Sequence, residues 1–146
     1  MVKWRHVFKS SILLALLALL ALCTACEGGT SGSVSGSRQR CSSKFREGQC
    51  SGSFKTLKGT YSVDVENDSV VSQAEVEVQA SVESGPIKVW IKTPDDETQS
   101  VDIPAGGSGS LRGTAKGEWD GFRVYFEAVE DTAEGVTYEL TYQVPQ

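Results

Sequence analysis

Histidine is what the chain has least of. Its one histidine is His6 and its one methionine is Met1. Beyond residue 6 there is no imidazole, which excludes a Ser-His-Asp or Cys-His nucleophile pair, a histidine general base and a histidine metal centre. Leucine is scarce too: from residue 26 onward there are only Leu57, Leu111 and Leu140, against fourteen valines. Long apolar runs are missing. The longest, Ile12 to Cys23, has twelve residues, well short of the roughly 20 that a membrane-spanning helix needs. A basic excess is missing as well. The formal charge of the 146 residues is −5, which leaves no electrostatic footprint for nucleic acid. The glycine-rich stretch Ala105 to Gly109 lacks the lysine and following helix of a phosphate loop. No cofactor signature is present.

What is there begins with Lys3, Arg5 and Lys9, followed by that twelve-residue run. A basic flank and a run of this length have the form of a signal peptide. The run closes on Leu22-Cys23-Thr24-Ala25-Cys26. Small residues just before a cysteine, after a Leu/Ala-rich run, resemble the lipobox of bacterial lipoproteins. Ala25 and Thr24 suit the small-residue positions before Cys26, whereas Leu22 before Cys23 is too bulky. The resemblance implies cleavage after Ala25 and lipidation of Cys26 (palmitate being the typical acyl group), so residues 1–25 are the expected lipoprotein signal peptide. It also implies a place in the cell envelope. With Glu27 rather than Asp after the cysteine, that place is the outer membrane if the organism has two membranes. Otherwise it is the outer face of the cytoplasmic membrane. The alternatives are an ordinary secretory signal and a retained anchor.

Removing the leader changes the arithmetic. Residues 26–146 carry eleven basic and nineteen acidic side chains. With Cys26 lipidated, Cys41 and Cys50 remain as an even pair beyond an export signal, which reads as a disulfide. The rival is a redox or metal dithiol; the eight-residue gap and the lack of histidine argue against it. Residues 26–40 are the lipidated cysteine and a Gly/Ser-rich stretch too polar to order itself, the expected tether. Residues 41–146 are the expected folded body. Charge is divided: residues 26–60 hold six basic and two acidic side chains, residues 61–146 five and seventeen. Such a basic collar either sits on anionic headgroups or is an ordinary solvated surface.

The body alternates apolar and polar residues with period two, the mark of half-buried strands. The runs are Tyr61 to Val65, Val76 to Val82, Ile87 to Ile91, Val101 to Ile103, Leu111 to Ala115, Phe122 to Ala128 and Val136 to Val144. Valine suits them because its branched Cβ fits a pleated surface. Turn-forming clusters separate the runs, and the only helical hint is one turn within 127–134. Seven to eight strands, each with one apolar face, need a second layer to cover them. The expected fold is all-β, an antiparallel β-sandwich of jelly-roll or Ig-like type.

Within it, Ile87-Lys88-Val89-Trp90-Ile91 runs into Thr93-Pro94-Asp95-Asp96-Glu97-Thr98, and Gly117-Glu118-Trp119 precedes the run from Phe122. This stretch resembles the jelly-roll-type sandwiches appended to secreted bacterial proteases, the pre-peptidase C-terminal and proprotein P domains. Those families place Gly where this chain has Asp96. The resemblance implies a noncatalytic appendage.

Alternation puts Trp90, between Lys88 and Lys92, on the face opposite Ile87, Val89 and Ile91, and turns Tyr125 outward likewise. Both are candidate contacts for a ligand or partner, with packing under lysine stems as the alternative. Trp119 is expected to plug the sandwich. Asp95, Asp96, Glu97 and Asp102 are a weak candidate Ca²⁺ cluster, the alternative being a solvated hairpin turn. No catalytic residue and no other metal site is expected. The function expected is a noncatalytic, lipid-anchored module contacting an envelope protein or glycan. The alternatives are a structural or accessory envelope component with no small ligand, and a carboxylate-based hydrolase.

Overall fold

A computed structural model describes residues 32–70 and 72–146. The leader, Cys26 and residues 27–31 lie outside the described residues. Ten strands follow one another in the chain: β1 (Ser33–Ser35), β2 (Arg38–Lys44), β3 (Glu47–Lys58), β4 (Thr60–Glu66), β5 (Gln73–Ser81), β6 (Ile87–Lys92), β7 (Thr98–Ile103), β8 (Ser108–Glu118), β9 (Gly121–Ala128) and β10 (Ala133–Gln143). The seven alternating runs of the sequence are β4 to β10. The segment 127–134 is the end of β9, a bend and the start of β10, not a helical turn.

All pairings are antiparallel, and they build two layers. One layer carries β3, β10, β5 and β8 side by side, with β1 and β2 along the free side of β3. The other carries β4, β9, β6 and β7. Strand β8 joins them: its residues up to Lys116 pair with β5, whereas Gly117 and Glu118 pair with β9. On the opposite side a single residue, Gly59 with φ +63°, carries the chain from β3 into β4; glycine takes this left-handed conformation without a Cβ penalty.

The inner faces meet in one apolar cluster. Phe54 of β3 lies edge-on to Phe126 of β9, ring centroids 5.4 Å apart, and Phe122 of β9 is edge-on to Tyr142 of β10 at 5.2 Å. Every buried apolar side chain among the described residues lies between Cys50 and Tyr142. Each such side chain contributes roughly 1.5–3 kcal/mol against exposure.

One expectation is corrected. The stretch 26–40 is not tether throughout, because β1 and the start of β2 fall inside it. Serine and arginine there are ordered by pairing rather than by burial. Ser33↔Lys58, Ser35↔Thr56, Arg38↔Ser53 and Lys44↔Glu47 hold one register. Strands β1 and β2 are therefore one edge arm, bent at Gly36 (φ +58°), and they form with β3 a hairpin turning at Phe45 and Arg46. Cys41 and Cys50 stand directly opposite in it, Cα atoms 4.1 Å apart, and are joined as a disulfide.

Candidate functional site

The strand register creates a surface that no single run of sequence displays. On the first layer the inner rows hold Cys50, Leu140, Val78 and Leu111, facing the core. The outer rows alternate with them. One row reads Arg38, Ser53, Thr137, Ser81, Ser108 from β2 across to β8, and the next Arg40, Ser51, Glu139, Gln79, Ser110. Then come Ser42, Gln49, Thr141, Glu77, Arg112, and last Lys44, Glu47, Gln143, Glu75, Thr114. These four rows of five hold no apolar side chain and no aromatic ring. Two adjoining shallow hollows lie along them, of about 1170 Å³ over the Ser/Thr-rich rows and about 1070 Å³ over the Glu/Arg rows.

Chemically the face is a grid of hydroxyls, amides and a few charges. Ser81 Oγ and Thr137 Oγ1 share a hydrogen bond at 2.6 Å. Arg112 Nη2 donates to Glu77 Oε2 at 2.7 Å. Its charge is graded, with Arg38, Arg40 and Lys44 along the β2 rim and Glu139, Glu77 and Glu75 on the inner strands. Such a face offers donors and acceptors about 5 Å apart across strands and about 7 Å apart along them.

The outward face of the other layer holds Trp90 and Tyr125. They are direct cross-strand partners on β6 and β9, and their rings stack at 3.8 Å with an interplanar angle of 4°. Tyr125 points outward, as alternation requires, yet is only 7% exposed, and Trp90 is partly buried. Each ring spends one face on the other. Trp119 is not a plug: it sits in the two-residue turn between β8 and β9, is 92% exposed and has φ +53°. Alternation missed this because Trp119 lies outside both strands, in the turn itself.

The acidic residues separate. Asp95, Asp96 and Glu97 belong to the β6–β7 turn, and Asp102 sits on β7 opposite Lys88. Asp96 accepts a hydrogen bond from Lys116 Nζ at 2.5 Å. That bond and the ammonium charge hold its carboxyl below the usual range. Asp96 has φ +63°, a left-handed conformation that glycine takes without a Cβ penalty. Among the described residues no group of three such side chains is placed to hold a metal ion. Arg123 of β9 donates to Asp64 Oδ1 at 2.7 Å and lies 3.4 Å from Glu118; the bond to Asp64 raises its affinity for its proton.

No family model and no curated protein matches the chain. Among solved structures, an oxalate oxidase is 14% identical with a TM-score of 0.39 over 83% of this chain. The chain spans 57% of that oxidase's length. The EutQ protein of Clostridium difficile is 16% identical, TM-score 0.35, with 80% of this chain and 67% of that one covered. A structure of Bacillus endospore appendages, described as disulfide-linked pili, is 9% identical, TM-score 0.41, with 84% and 97% covered.

Proposed function

We propose that this chain is an exported, lipid-anchored and noncatalytic β-sandwich that presents the polar outer face of its first layer to an envelope partner. The observation that carries this reading is the set of four outward rows, unbroken by any apolar side chain and open along two hollows. The absence of histidine beyond His6 and of any nucleophile motif supports a binding role over a catalytic one. A sugar is usually gripped by stacking on an aromatic ring, and these rows hold none. That favours an envelope protein over a glycan. The lipid anchor at Cys26 and the place in the envelope rest on the leader sequence.

Site-directed photo-crosslinking in native envelopes tests the face. A crosslinker at Thr141 is expected to trap a discrete partner that one at Glu127, on the other layer, does not. No product from position 141, or the same products from both positions, overturns the face as the site and leaves the accessory-component reading. Labelling with an alkyne palmitate tests the anchor separately: label is expected on the native chain and absent after Cys26→Ala.

A further inference from the structure

We infer that the edge hairpin β1–β2–β3 is an anionic-membrane docking surface, on which the sandwich lies sideways with its β2 edge against the lipid headgroups. All six basic residues described between positions 32 and 60 belong to this hairpin: Arg38, Arg40, Lys44, Arg46, Lys55 and Lys58. Among the described residues none of the six has a carboxylate within ion-pair distance. By contrast Arg112, Lys116 and Arg123, three of the five basic residues on the rest of the body, are all paired. Most of the positive charge on the body is paired, Lys88 and Lys92 excepted; on the hairpin none of it is.

The geometry turns this charge outward. Strand β2 pairs only with β3, and all seven of its residues are exposed. Arg38, Arg40 and Lys44 occupy alternate outward positions, a comb about 20 Å long. Glu47 and, beyond β3, Glu139 are the nearest acids by register.

Two observations commit the surface to a bilayer rather than to a soluble polyanion. At the apex of the hairpin Phe45 is 79% exposed, lies between Lys44 and Arg46, and carries the Arg46 guanidinium 5.4 Å from its ring centre. An aromatic ring between cations suits the headgroup boundary, where the ring enters the acyl edge and the cations meet phosphate. The hairpin is also the first element among the described residues, and it follows Cys26 closely in sequence. Six residues lie between Cys26 and Ser33, and the seven Cα-to-Cα steps span at most about 25 Å. This second argument rests on the anchor proposed above; the charge and Phe45 do not. A sideways pose stands the polar face of the first layer upright beside the membrane.

The test uses the chain 27–146, which keeps the whole core and lacks acyl groups, so its outcome is independent of lipidation. It is expected to float with vesicles of mixed phosphatidylglycerol and phosphatidylcholine at about 0.01 M salt, and to be released at about 1 M, where screening shortens to about 3 Å. Replacing Arg38, Arg40 and Lys44 with Gln is expected to cut the bound fraction at least about tenfold. Replacing Lys88 and Lys92 with Gln is expected to leave it unchanged. Phe45→Ser is expected to weaken vesicle binding several-fold without altering retention on dextran sulfate. No flotation at low salt, equal flotation of the triple variant, or retention on dextran sulfate without vesicle binding each overturns the inference.

Discussion

Tyr138 and Gly52 face one another across β10 and β3, and the phenol ring lies where a Cβ on Gly52 would project. The same arrangement recurs four residues away, with Tyr142 over Gly48. A ring laid across a glycine covers backbone that would otherwise be bare, and it fixes which residues pair. Gly52→Ala is therefore expected to lose about 1–3 kcal/mol, the cost of forcing extra volume into a packed core. Chemical denaturation measures it. An unchanged midpoint would mean that the ring is free to move aside.

The Tyr138 hydroxyl is buried and has no hydrogen-bond partner, unlike that of Tyr142, which accepts from Asn67 Nδ2 at 3.0 Å. An unpaired buried hydroxyl costs about 1–3 kcal/mol. Tyr138→Phe is expected to raise stability by about 1 kcal/mol. Tyr142→Phe, which breaks a bond, is expected to lower it. If both substitutions shift the denaturation midpoint in the same direction, the assignment of the orphan hydroxyl is wrong.

Burial also pushes the Tyr138 phenol up to about 12 from its ordinary 10.0. The folded chain then holds this proton more tightly than the unfolded chain does. Stability from this group is intact below pH 10 and falls as pH rises through the window from about 10 to about 12. Alkaline unfolding followed by circular dichroism is expected to shift to higher pH in Tyr138→Phe. Coincident curves for the two proteins would count against the buried phenol as the cause.

Strands β4 to β10 were legible in the sequence because each alternates apolar residues with polar or charged ones. The edge hairpin was not. Arg38 to Lys44 holds no β-branched residue, and the buried residues of β3 fall at Cys50, Phe54 and Leu57, spaced by four and three rather than two. The order of β3 comes chiefly from β10, whose residues lie about 76 to 96 positions away in sequence. The polar face was hidden for a similar reason. Ser53, Thr137, Ser81 and Ser108 each look like an ordinary outward residue, and only strand order brings them into one row. Alternation turns Trp90 and Tyr125 away from the core, but their stacking depends on a register that alternation does not report. The Cys41–Cys50 pairing was legible because the leader reading sets Cys23 and Cys26 aside and leaves a single pair.

That disulfide ties an exposed half, Cys41, to a half only 2% exposed, Cys50. It joins the otherwise solvent-facing arm β2 to the strand that enters the core. Closing so short a loop contributes roughly 2–3 kcal/mol on the chain-entropy model. Replacing both cysteines with Ala is expected to cost about that much, and amide exchange is expected to quicken along β2 before it does along β10. Thiol titration of the denatured, unreduced chain is expected to find neither Cys41 nor Cys50 free.

Trp119 is the last case, because its backbone and its exposure disagree. At φ +53° it adopts a conformation that costs a non-glycine residue roughly 1–2 kcal/mol. A side chain 92% exposed recovers almost none of that through packing. Asp96 stands in the same conformation, but its carboxylate gains an ion pair with Lys116. Trp119→Gly is therefore expected to stabilise the fold by about 1 kcal/mol, whereas Asp96→Gly is expected to gain less because the ion pair goes with it. Urea denaturation of the two variants side by side decides the matter. A loss of stability in Trp119→Gly would show that the indole is held by contacts its exposure conceals.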